Sequence, residues 1–151
     1  VPQLPVSVIT ETDDNTDGRL IKYPNVIEVE CGLQGTDEAA TNGYELVRAF
    51  LAATGVLPLG DAMDRLSVPA RETVPVFQVA GSIPKPEGTE YEVFVDNFEL
   101  VTAGTAFAAV DGEAIHAEAD FYPVLLSPYG YADIFGYRSE RVGTVAEWNA
   151  N

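Results

Sequence analysis

The sequence predicts an α+β chain, in which one strand-loop-helix unit of α/β type precedes a small antiparallel β domain. Three observations predict it. Residues 25–31, NVIEVEC, form an apolar alternating run directly before the turn-prone Cys31-Gly32-Leu33-Gln34-Gly35. Residues 36–55 carry a helix-start signal, helical periodicity and a glycine stop. From Thr73 onward, short β-branched and aromatic runs alternate with Gly, Pro, Asn and Asp.

Composition sets the outer limits. The chain has 151 residues and 46% hydrophobic residues, enough to bury a core. Acidic residues outnumber basic ones by 24 to 8, for a net charge of −16. That surface repels phosphates and anionic lipid, which argues against nucleic acid and membranes as partners. Few lysines among many carboxylates also fits a halophilic cytoplasm, where salt screens the repulsion. Cys31 is the single cysteine and His116 the single histidine. An internal disulfide is therefore excluded, these two residues alone cannot close a zinc site, and a cytoplasmic location is the default. No apolar run long enough to span a membrane is present. The chain starts on Val1 rather than Met, which suggests a fragment or a trimmed chain.

Taken in order, VSVIT within residues 1–10 reads as a strand, limited at its start by Pro2 and Pro5. Residues 11–18, ETDDNTDG, read as a surface loop. Asp13, Asp14, Asn15 and Asp17 cluster there, but the spacing of an EF-hand calcium loop is missing. In residues 25–31 Ile27, Val29 and Cys31 share one face, while Val26, Glu28 and Glu30 share the other. The first face calls for a core; the second is a wet face or the wall of a cleft. Thr36 is a good helix N-cap, with Asp37 and Glu38 in the first turn. Ala40, Tyr44, Val47 and Leu51 recur at helical spacing as the expected buried stripe. Gly55 and Pro58 end the helix.

Residues 61–72 read as a linker. Beyond it, residues 74–80 form a strand, placed at a sheet edge on account of Pro75. Residues 81–88 form a loop. Residues 90–95 alternate with Tyr91, Val93 and Val95 on one face. Residues 97–101 are a short extended run. Residues 105–110 and 113–120 flank Asp111-Gly112, a strong hairpin signal. Residues 122–126 are one more apolar strand, residues 127–137 are rich in Tyr, Gly and Phe, and the tail after Val142 is expected to be loose except at Trp148.

Glu30 is the best candidate for chemistry. A carboxylate in a partly apolar cleft has a raised pKa and can take a proton from water near neutral pH. Hydrolysis would also need an electrophile, usually a metal, and no H-x-x-E, H-E-x-x-H or G-x-S-x-G occurs in the chain. His116 reads as an ordinary sheet residue and Cys31 as a small packing residue without a histidine to activate it. No phosphate-binding glycine loop is present.

The blocks KYPNVIEVECGLQG and DEAATNGYELVRAFLAATGVL together resemble the middle of the succinylglutamate desuccinylase/aspartoacylase family. That family has an apolar strand ending in E-x-G-x-Q, matched by Glu30, Gly32 and Gln34, and then a helix. The block DFYPVLLSPYGYADIFGY resembles its closing segment, an aromatic-Pro-Val strand followed by a Tyr-bearing loop. Together these blocks cover about a third of the chain, in the family's order and spacing.

The resemblance implies a zinc-dependent hydrolase that removes the acyl group of an N-acyl amino acid. Residues 1–60 would be the C-terminal portion of a zinc-carboxypeptidase-like catalytic domain, 61–72 its linker, 73–142 the β-rich C-terminal domain and 143–151 a tail. Glu30 would be the general base; Glu28 is the alternative, but Gly32 and Gln34 set the register in favour of Glu30. Tyr131 would bind a substrate carboxylate, and Arg19 is a second candidate for that contact. The family's zinc ligands, an H-x-x-E block and a later His, are absent from this chain, as is its substrate-binding Asn-Arg pair. The chain is then expected to be the C-terminal part of a deacylase that carries zinc only in its full-length form, and inactive alone. No metal is expected in this chain, and homo-oligomer formation is left open. The alternative is a non-catalytic domain that binds a small ligand or regulates a partner.

Overall fold

The computed structural model describes residues 4–12, 26–57 and 73–148. Among them, seven strands and two helices follow one another: β1 (Ile9–Thr12), α1 (Asp37–Ala53), β2 (Pro75–Pro84), β3 (Tyr91–Val93), β4 (Ala106–Val110), β5 (Glu113–His116), β6 (Tyr122–Val124), β7 (Ile134–Thr144) and α2 (Val145–Trp148). The mixture of helix and sheet is α+β, as expected. The chain divides into two units. The first comprises Val1–Ile9, Thr16–Pro75 and Thr144–Asn151; the second comprises Thr10–Asn15 and Val76–Gly143. Arg19, Lys22, the acidic cluster at residues 13–17 and the linker at 61–72 lie outside the described residues. No helix of the described chain is long and apolar enough to cross a membrane.

Strand order is β1-β2-β7-β6 in one sheet and β3-β4-β5 in the other. The second sheet is an antiparallel meander. Asp111-Gly112 closes its β4–β5 hairpin, with φ of +50° and +84°, as the sequence predicts. β6 pairs antiparallel with β7, Pro123 opposite Arg138. Because β6 ends the sheet order, the missing N–H of Pro123 breaks no interior ladder. The core of this unit joins Val101, Phe107, Ala108, Val110, Ala117, Leu126 and Phe135, with Tyr91, Val93 and Val95 packed against it from the face the alternation assigned to them. A second aromatic group sets Phe77 5.4 Å from Phe98 and 5.1 Å from Tyr122, ring centre to ring centre.

Five expectations are corrected. β2 is interior, flanked by β1 and β7, because Pro75 is its first residue and the later residues keep their donors. It also extends to Pro84, into the stretch read as a loop. The tail after Val142, expected to be loose, continues as α2 after the last two residues of β7, a strand eleven residues long and paired with two neighbours. The polar sequence of β7, RSERVGT, alternates an exposed Arg138 and Glu140 with a buried Ser139, whose hydroxyl donates to Tyr122 O at 2.8 Å. Residues 26–31 form no strand: their backbone joins no ladder among the described residues, and Val26 and Ile27 are 37% and 40% exposed. Alternation makes a strand only when a neighbour takes its N–H and C=O groups. Lastly, α1 turns the other way about its axis. Ala49 and Ala52 are buried while Tyr44 and Val47 are exposed, so the inner face carries the small side chains.

Candidate functional site

The first unit holds the E-x-G-x-Q segment. Glu30 and Glu28 are both exposed, and Cys31 is half-buried. The turn after Glu30 is tightly made. Gly32 has φ +126°, a conformation that side chains rarely adopt, so the glycine two residues beyond the carboxylate is a backbone requirement. Thr36 lies at φ −91°, ψ 149°, and caps α1: its Oγ1 accepts from Ala39 N at 3.1 Å and donates to Leu33 O at 2.8 Å. Asn42, one turn into the helix, donates from Nδ2 to Cys31 O at 2.9 Å. The backbone just past Glu30 is thus tied to the helix that follows it. The cap, the acidic first turn and the stop at Gly55 are where the sequence put them.

The second unit holds Tyr131, half-buried in the loop between β6 and β7. Ser127 opens that loop, its N–H donating to Phe135 O at 2.7 Å and its Oγ accepting from Gly130 N at 3.0 Å. The ring of Tyr131 meets that of Tyr137 edge-on, 5.9 Å apart and at 84°. Lys85, just past β2, reaches the same loop from the side. Its Nζ donates to Tyr131 O at 2.5 Å, and its own N–H donates to Asp133 O at 3.0 Å. The ammonium also lies 4.9 Å from the ring centre of Tyr91 and 5.7 Å from that of Phe135. Tyr91 completes the cluster, edge-on to Tyr129 and to Phe135.

The sequence-predicted residues are therefore distributed between units. Glu30 belongs to the first and Tyr131 to the second, and Arg19 lies outside the described residues. His116 is exposed at the end of β5, opposite Ala106, as an ordinary sheet residue would be. Among the described residues no three His, Cys, Asp or Glu side chains could together hold a metal ion. Lys85 was not singled out by sequence reasoning, although one signal marked it. It is one of only two lysines in a chain of 24 acidic residues.

No protein-family model and no curated protein matches the chain. Among solved structures it is similar to part of two crystal structures of murine aminoacylase 3, one of the unmodified protein and one of a point mutant. Each matches at 20% identity and a TM-score of 0.40, over 45% of this chain. The matched region is 27% of the unmodified aminoacylase chain and 26% of the mutant one, about a quarter of their length. This is a partial likeness of fold and says nothing of activity.

Proposed function

We propose that this chain is the C-terminal part of a metal-dependent hydrolase of the succinylglutamate desuccinylase/aspartoacylase type. The whole protein would cleave the amide bond of an N-acyl amino acid, and this part alone would be inactive. One observation carries the reading: Glu30-x-Gly32-x-Gln34 runs into a capped helix, and an aromatic-Pro-Val strand with a Tyr-bearing loop follows in the same order. Two further features support it. Gly32 holds a backbone conformation that makes glycine necessary at that motif position. Tyr122-Pro123-Val124 is a strand, and Tyr131 stands in the loop beyond it.

Among the described residues no group of three His, Cys, Asp or Glu side chains fits a zinc ion, and His116 is exposed on β5. In this reading the zinc ligands belong to a part of the protein outside this chain. What this chain would supply is narrower. Glu30 would take the proton of the attacking water, as a positioned carboxylate does in general-base catalysis. The Tyr131 hydroxyl would donate to the substrate carboxylate, and Arg19 would pair with it. Such contacts matter against a net charge of −16, which otherwise repels an anionic substrate. The protein would act in the cytoplasm on a small molecule, alone or as a homo-oligomer.

The test is to assay the full-length gene product on a panel of N-acetyl and N-succinyl amino acids, with and without chelator. Glu30→Gln should cut kcat by roughly 10²- to 10⁴-fold while the protein stays folded. Undiminished turnover in that variant would remove Glu30 from the mechanism. The exposure of Glu30 favours one other reading, a non-catalytic ligand-binding domain. Calorimetric binding of a small ligand to the isolated chain, with no turnover by the full-length product, would establish that reading instead.

A further inference from the structure

We propose that Lys85 is a positioning residue that fixes the Tyr131 loop. It grips the loop twice, through Nζ on Tyr131 O at 2.5 Å and through its backbone N–H on Asp133 O at 3.0 Å. The two carbonyls flank Ala132, so the backbone from Tyr131 to Asp133 is held at both its ends. Lys85 is itself a stiff anchor. It stands between Pro84 and Pro86, and a following proline restricts its backbone to extended conformations while each proline's own φ is locked. The ammonium faces the negative ring faces of Tyr91 and Phe135, 4.9 and 5.7 Å away. Phe135 is fully buried and Tyr91 is packed on the core, so the cation's platform is part of, or packed on, the core. A chain this acidic could pair a lysine with any of many carboxylates. Here the charge is spent on a carbonyl, and an ammonium can do that because it is all donor and no acceptor.

The consequence for catalysis rests on the deacylase reading, in which Tyr131 contacts the substrate; the ordering of the loop does not. Lys85→Met keeps much of the apolar stem and removes both the charge and the donors. In the chain as it stands, hydrogen exchange of the amides in residues 127–133 should accelerate about tenfold or more in that variant, with the β4–β5 hairpin unchanged. Lys85→Arg, which retains donors and cation–ring contact, should restore most of the protection. If Lys85→Met fails to fold, Lys85→Gln is measured in the same way. Loop exchange that stays at the wild-type rate in these variants overturns the proposal. In the full-length product, Lys85→Met should raise KM several-fold at nearly constant kcat, with Lys85→Arg partly rescuing it. A loosened loop with an unchanged KM would support the clamp and overturn the role of Tyr131 in binding substrate, so the two failures are distinct.

Discussion

Asn97 stands in for a strand beside Leu126. Its Oδ1 accepts from Leu126 N at 2.7 Å and its Nδ2 donates to Leu126 O at 3.3 Å, so one side chain satisfies both backbone groups of a core residue. Leu126 is only 6% exposed, and its backbone could not easily recruit water in their place. Asn97→Ala should therefore destabilise the protein by about 2–3 kcal/mol, read as a lower urea midpoint at unchanged m-value. Asn97→Asp should cost a comparable amount, since it keeps the acceptor but loses the donor.

Gly136 also lies close against the Leu126 backbone. A Cβ added there would stand 2.7 Å from Leu125 O and 2.8 Å from Leu126 Cα, at a φ of +155°. Both are backbone atoms, so the strand and not a rotamer must yield. Gly136→Ala should cost about 1–3 kcal/mol or more. Because Asn97 and Gly136 constrain the same residue, the double variant should lose less stability than the two single losses combined. A double-mutant cycle by denaturant unfolding would check this.

How much of this was legible in the sequence depends on what each feature needs. The Asp111-Gly112 hairpin and the Thr36 cap are decided by residues within one turn of one another, and both stand as read. β7 was missed because its second half, RSERVGT, lacks the apolar alternation of a strand and its pairing partners lie outside the segment itself. Residues 26–31 failed in the opposite sense, with the alternation of a strand but no pairing partner among the described residues. The helix offered two faces, and weighting by hydrophobicity chose Tyr44 and Val47 over Ala49 and Ala52. At the candidate site, Glu30 and Tyr131 came from motif register. Lys85 touches Tyr131 across 46 residues, a contact no local pattern encodes.

Asp111 gives a pH-dependent prediction. Its Oδ1 accepts from Glu90 N at 2.8 Å, Thr89 N at 2.9 Å and Thr89 Oγ1 at 2.8 Å, and these bonds to the ionised form hold its pKa below the usual aspartate value. A carboxylate lowered on folding adds stability that is complete above its unfolded pKa, about 3.9, and fades as the pH drops through the folded value. Asp111→Asn tolerates the φ of +50° and keeps an acceptor oxygen, so it isolates the charge. The stability gap between wild type and this variant, from urea unfolding, should be constant from pH 7 to about 5 and narrow below about 3.9.

The inversion of α1 can be tested with a pair of substitutions. Ala49 has no exposed surface and Val47 is 56% exposed. Ala49→Leu forces added carbons into closed space and should destabilise by about 1–3 kcal/mol. Val47→Gln leaves packing alone and replaces a β-branched residue with a better helix former, so its effect should stay within about 0.5 kcal/mol. Had the stripe of Ala40, Tyr44, Val47 and Leu51 faced inward, the order would reverse: a buried, unpaired amide at position 47 would cost more than the enlargement at 49. Thermal unfolding of both variants beside wild type decides between the two faces.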